Sequence, residues 1–256
     1  MPARSEAGRT RALATAIQLA IFVAFFGGWW LLTATHAIKA LFLPPLPAVG
    51  AQLQHIVVTP AFWRAVGVTT TSTAQAYAIA VVAGILIGFL VGRSPRLTAA
   101  YRPVFSSFFA IPIALFFPLF VVMLGIGPPS KIAFGALYGF FPIVLNTVAG
   151  FSGIDPLFLR SARSQGASRM QMLRRIYLPG ALPIVLGGLR IGFFITFASV
   201  LGGETLSSSA GVGYAIAHAG ELLESAAMYA WVAIVLAVTI ALNIGLTLLE
   251  RRATSR

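Results

Sequence analysis

Charged residues along the chain are spaced so that long apolar stretches lie between them. Uncharged runs cover 12–38, 65–92, 103–130, 132–154, 191–203 and 225–249. A helix needs about 20 mainly apolar residues to cross the hydrocarbon core of a bilayer. Five of these runs are long enough alone. The run at 191–203 becomes long enough when it starts near Ala181 and includes Arg190. The pattern predicts an all-α membrane protein with six transmembrane helices, at about 13–34, 68–92, 104–125, 132–151, 183–205 and 229–249. The first is expected to be retained: its apolar stretch exceeds the roughly 7–15 residues of a signal-peptide core, and no small-residue cleavage site ends it.

Composition agrees. The chain is 58% hydrophobic and 9% charged, against about 25% charged in soluble domains. Too few charges remain to cover a water-facing surface, so the lipid bilayer is the expected partner of much of it. The length of 256 residues suits one domain, 1–256, with no linker dividing it. Cysteine is absent, which excludes a disulfide framework and a thiol-bound metal.

The net charge of +12 would point to nucleic acid in a soluble protein. Its placement points elsewhere. Arginines precede the first span (Arg4, Arg9, Arg11), separate the second from the third (Arg93, Arg96, Arg102), separate the fourth from the fifth (Arg160, Arg163, Arg169, Arg174, Arg175) and follow the last (Arg251, Arg252, Arg256). The alternate connections hold Lys39, Arg64 and Lys131. Lys and Arg collect in cytoplasmic loops, so both termini and the loops 93–102 and 152–180 are expected in the cytoplasm. No nucleic-acid partner is expected.

The loop 152–182 is more than a hairpin. Asp155 is a good N-cap and Pro156 suits the first helical position. Gly166 can end that helix in the left-handed region. Ser168 with Gln171 three residues later reads as a capping box opening a second short helix, with Met170, Leu173 and Tyr177 on one face. Pro179 and Pro183 mark the return into the membrane. Two roles fit such a basic, partly apolar elbow equally: a segment lying on anionic headgroups, or a docking surface for a partner protein.

The run Arg160-Ser-Ala-Arg-Ser-Gln-Gly166-Ala-Ser168, followed by Arg174-Arg175-Ile-Tyr-Leu-Pro179-Gly-Ala-Leu-Pro183, resembles the cytoplasmic signature of ABC-importer permeases: Glu-Ala-Ala, three residues, Gly, then Ile-x-Leu-Pro. Further segments are similar to the permeases of the nitrate, sulfonate and taurine importer group. They are Leu43-Pro44-Pro45-Leu46-Pro47, Ile111-Pro112, Gly125-Ile126-Gly127, Phe141-Pro142 through Asn146-Thr147, Gly188-Leu189-Arg190 and Ser209-Ala-Gly211-Val-Gly213-Tyr214. The resemblance covers about 43–252. One position departs from it: the signature's glutamate falls at Arg160.

The resemblance implies a type I ABC-importer permease fold, with a coupling helix at about 156–169 seated in a groove of an ATPase. Arg160, Ala162, Arg163, Gly166, Ala167 and Ser168 are then the ATPase-coupling residues. The implied partners are a second permease copy, two ATP-binding subunits and a soluble substrate-binding protein, in the bacterial inner membrane. The implied solute is nitrate, a sulfonate or taurine; relatives in the group carry thiamine-precursor pyrimidines, riboflavin or aromatic acids. ATP and Mg belong to the partner ATPase, since the chain holds no G-x-x-x-x-G-K-[ST] loop. No catalytic constellation and no metal cluster is visible, and a membrane-embedded enzyme is not expected. A secondary transporter would carry inverted repeats, and none is detected.

Polar groups at membrane depth are costly and face the bundle interior or a cavity. Pro112, Asn146, Thr147, Thr196, Ser199 and Glu204 are therefore candidates for the translocation pathway. Each also has a structural reading. Asn146 can bond across helices, Glu204 can reach outer water, and Arg190 can snorkel to the cytoplasmic headgroups. Gly84, Gly88 and Gly92 are spaced for close helix packing. The segment 206–228 is expected to form a re-entrant turn and a short helix.

Overall fold

The computed structural model describes residues 3–254, and every regular element among them is helical. Arg256, placed above with the cytoplasmic C-terminus, lies outside the described residues. The chain divides into two compact units. One comprises 1–59 and 216–235, the other 60–215 and 236–256.

In the smaller unit, helix α1 (Ala3–Ala34) is followed by α2 (Leu46–Val57). The prolines between them build the turn. Pro45 occupies the N-cap of α2 and Pro47 falls in its first turn, where a missing N–H leaves nothing unsatisfied. Side chains hold this turn from three directions. Trp29 Nε1 donates to Pro44 O at 2.9 Å, Tyr229 Oη donates to Phe42 O at 2.9 Å, and Ser225 Oγ donates to Leu41 O. The Trp29 and Tyr229 rings meet edge to face at 5.4 Å.

The larger unit is built on α3 (Pro60–Gly92), α6 (Pro128–Ser152) and α9 (Leu178–Leu206). Helix α6 is central, and small residues let the other two approach it. A β-carbon on Gly84 would lie 2.7 Å from Ile143 Cγ2, one on Gly88 2.5 Å from Thr147 Cβ, and one on Gly92 3.0 Å from Phe151 Cβ. The two rows ascend together, so α3 and α6 run parallel. Against α9 the order reverses: Gly188 meets Asn146, Gly192 meets Ile143, and Val200 meets Gly135. Helix α9 is therefore antiparallel to α6.

That parallel pairing decides what the segment between α3 and α6 must do. The 25 residues of α6 rise about 36 Å, so the chain from Gly92 to Pro128 must return the length of the bundle before α6 begins. The sequence expects one span there, at about 104–125. The structure divides it into α4 (Pro95–Ala110), a 3₁₀ turn (Ile113–Phe116) and α5 (Phe117–Leu124). Ile111 is extended, with φ −70° and ψ 134°, because the ring of Pro112 disfavours a helical residue before it. Among the described residues five helices are long and apolar enough to cross alone, and the third expected span corresponds to α4, the 3₁₀ turn and α5.

The connection after α6 holds α7 (Pro156–Ser164) and α8 (Arg169–Met172), followed by a π turn (Leu173–Tyr177) that runs straight into α9. Pro179 and Pro183, read from sequence as marking the return into the membrane, fall inside a helical stretch of 38 residues, Arg169–Leu206. A proline ring clashes with the carbonyl four residues earlier, and the wider π turn immediately before Pro179 gives that ring room. Helix α10 (Val212–Glu221) and the long α11 (Ser225–Thr254) complete the chain. Eight arginines, in 93–102 and 160–175, gather at the end of the bundle where α3 and α6 finish.

Candidate functional site

The elbow at this arginine-rich end is built by local rules. Asp155 Oδ1 accepts from Leu157 N at 2.8 Å, capping α7. At the other end Gly166 N donates to Arg163 O at 3.0 Å and Ala167 N to Ala162 O at 3.0 Å. These two bonds form a Schellman motif, which requires a left-handed residue at its turn. Gly166 supplies it with φ +75°. The motif also brings Ala162 and Ala167 together as its small apolar pair. Ser168 then closes a capping box: its Oγ accepts from Gln171 N at 3.3 Å and its own N–H donates to Gln171 Oε1 at 2.8 Å. Arg160, Arg163, Gly166 and Ser168 are exposed, and Ala162 and Ala167 half-buried.

Two consequences follow for what the elbow can do. Side-chain caps and the Schellman bonds fix both of its short helices, and from Arg169 the chain runs on through α8 and the π turn into α9, whose Ala181 is seated against Gly150 of α6. The elbow also presents apolar surface: Leu157 is 69% and Phe158 65% exposed. Sequence reasoning missed these two residues. Their signal is a pair of large apolar side chains in a helix otherwise rich in Arg and Ser.

At the opposite end of α9, Glu204 is only 2% exposed. Its carboxylate accepts from Thr69 Oγ1 at 2.8 Å and from Gly213 N at 2.9 Å. Thr69 Oγ1 in turn accepts from Val212 N at 2.8 Å. One carboxylate thereby ties α3, α9 and the start of α10. Gly211, at φ +107°, leaves the space: a β-carbon there would lie 2.3 Å from Glu204 Cδ. Lys131, 1% exposed, donates from Nζ to Gly127 O at 3.2 Å and to Ile126 O.

The remaining pathway candidates separate. Thr147 and Thr196 are fully buried. Thr147 Oγ1 donates to Ile143 O at 2.7 Å. Thr196 Oγ1 lies against Gly139 without a hydrogen-bond partner. Asn146 is half-buried. Its Nδ2 donates to Pro142 O of its own helix at 2.8 Å, which corrects the expected bond across helices. Ser199 Oγ likewise turns back to Ile195 O at 2.7 Å. In this conformation Thr147, Thr196 and Glu204 face neighbouring helices rather than open space, because close glycine-mediated packing leaves no gap beside them; the expected reach of Glu204 to outer water is not seen. Pro112 is exposed at the break between α4 and α5. Arg190 Nη2 donates to Asn243 Oδ1 of α11 at 2.7 Å, so this end of the guanidinium is committed to a helix rather than to headgroups.

Long apolar helices built around a parallel–antiparallel core, with a capped basic elbow leading into one core helix, describe a multi-pass membrane protein. Residues 80–255 match the family model described as binding-protein-dependent transport system inner membrane component. The chain belongs to this family. It is 33% identical over 231 residues to the taurine transport system permease protein of Escherichia coli, covering 88% of this chain and 84% of that one. It is 26% identical over 224 residues to the putative aliphatic sulfonates transport permease protein of Bacillus subtilis, covering 88% and 81%. In fold it is similar to a chain of the MetNI methionine ABC transporter in an inward-facing conformation, with a TM-score of 0.58, 20% identity, and coverage of 78% and 97%. The chain is thus an inner-membrane permease of the ABC-importer class.

Proposed function

We propose that this chain pairs with a second copy to form the translocation pathway of an ATP-driven importer for a small sulfonate such as taurine. Two ATP-binding subunits bind ATP and Mg and dock on the elbow, and a soluble binding protein delivers the solute at the opposite face. The solute class rests on the taurine and sulfonate permeases to which the chain is similar. Nitrate, a thiamine-precursor pyrimidine, riboflavin or an aromatic acid remain the alternatives to test beside it. The arginine-rich end of the bundle supports a cytoplasmic elbow, with both termini on that side. The whole chain, 1–256, is read as one permease domain.

The observation that carries the reading is the unbroken helix from Arg169 to Leu206. It joins the capped elbow to the core, and it ends at the Glu204 knot. An ATPase closing on the exposed Leu157 and Phe158 and the coupling residues Arg160, Ala162, Arg163, Gly166, Ala167 and Ser168 would move α9 as a lever. Among the pathway candidates, Pro112 marks the break that α4 and α5 need to bend. Asn146, Thr147, Thr196, Ser199 and Glu204 act from inside the subunit, setting the helix spacing that shapes the pathway.

Gly166→Val tests the lever. Valine strongly disfavours a φ of +75°, so the Schellman turn is lost while the spans are untouched. With the ATPase and binding protein present, uptake is expected to fall at least about tenfold with membrane insertion and yield unchanged. Full uptake by this variant would remove the elbow from the mechanism.

A further inference from the structure

A cavity of about 570 Å³ lies between the start of α4 and the elbow. That is within the roughly 300–1,000 Å³ typical of small-molecule sites. Arg93, Arg102 and Arg163 line it, and no lining residue is acidic. Asp155, the nearest acid in sequence, spends Oδ1 on the cap of α7. The rest of the wall is largely apolar, including Ala99, Leu159 and Tyr177. Phe151 and Tyr177 stack at 6.3 Å, Phe89 meets Phe151 edge to face at 5.0 Å, and Arg93 Cζ sits 5.8 Å over the Phe89 ring. The guanidinium of Arg93 is thereby held at an aromatic tier beside the cavity.

The place of the cavity narrows its ligand. It opens where α3 ends at Gly92 and α6 at Ser152, the depth at which spanning helices leave hydrocarbon for headgroups. Three arginines against an apolar wall match a molecule with a phosphate at one end and hydrocarbon at the other. We propose that this cavity binds the headgroup of an anionic phospholipid, with Arg93, Arg102 and Arg163 meeting the phosphate and the apolar wall receiving the glycerol and upper acyl chain. The bound lipid would fill the space behind the elbow and brace it against the end of α4.

Native mass spectrometry of the purified full-length chain tests this, with phosphatidylglycerol and phosphatidylcholine of identical acyl chains and with inorganic phosphate as separate additions. Wild type is expected to bind phosphatidylglycerol about tenfold or more tightly than phosphatidylcholine, as charge-assisted contacts imply. Arg102→Gln with Arg163→Gln should abolish that preference. Arg174→Gln with Arg175→Gln, outside the cavity, should keep it. An unchanged preference in the Arg102/Arg163 variant overturns the proposal. So does inorganic phosphate protecting the chain from thermal unfolding as well as the lipid does, since the site then takes a soluble anion. If the double variant does not fold, the single exposed change Arg102→Gln decides on the same outcomes. Binding is read without transport, so an inactive importer and an empty cavity are separate results.

Discussion

Glu204 sits in surroundings where an unpartnered carboxylate would be very costly. Two donors, from Thr69 and Gly213, meet it, and a glycine opposite leaves it room. Glu204→Ala strands both donors, each worth about 1–3 kcal/mol when left buried and unmade. Glu204→Gln keeps the shape and one acceptor. Thermal melts of the solubilised protein should therefore show a loss of several degrees for Ala and a smaller one for Gln. Gly211→Ala should resemble Glu204→Ala, because its β-carbon strikes the carboxyl and its φ is strained, together about 2–3 kcal/mol. Thr196 is the reverse case. Its hydroxyl is buried without a partner, so Thr196→Val should leave the melting temperature unchanged or raise it. A loss as large as that of Glu204→Ala would show that this hydroxyl does more than fill space. Polarity at membrane depth was legible in the sequence for both residues. Which was partnered was not, because Thr69 and Gly213 lie 135 and 9 residues from Glu204.

Among the elements, α3 and α6 are matched by glycines spaced four apart, a spacing visible in the sequence. Their partners, Ile143, Thr147 and Phe151, were not, since ridge-into-groove packing depends on relative height. Gly88→Leu should cost about 3 kcal/mol by overpacking against Thr147, seen as a lower melting temperature and yield. Gly67→Leu, near the other end of α3 with open space around it, should be tolerated; equal damage from both would contradict the packing account. The elbow was nearly wholly legible, because caps, the Schellman glycine and the capping box are local and carry their residues in sequence. The third span was legible as an apolar stretch with Pro112 inside it, but its division into α4, a 3₁₀ turn and α5 was not, because hydropathy averages over Pro112. The join through Pro179 was also hidden, since a π turn leaves no simple composition signal.

Over the described residues, five helices are long and apolar enough to cross a membrane, and α4 with α5 carries the chain back between the parallel α3 and α6. The arginines of 93–102 and 160–175 lie at the end that carries the elbow. The solute is less legible at this scale: the polar groups of α6 and α9 bond within the subunit, and nothing in them selects a sulfonate over another small solute. Under the proposed function the chain is a scaffold that moves only when a partner ATPase moves it. Uptake of labelled taurine into proteoliposomes, with ATP, the ATPase subunit and the binding protein supplied or withheld in turn, measures this directly. Uptake that requires all three is the predicted result. Uptake by this chain alone, without the ATPase or ATP, would contradict it.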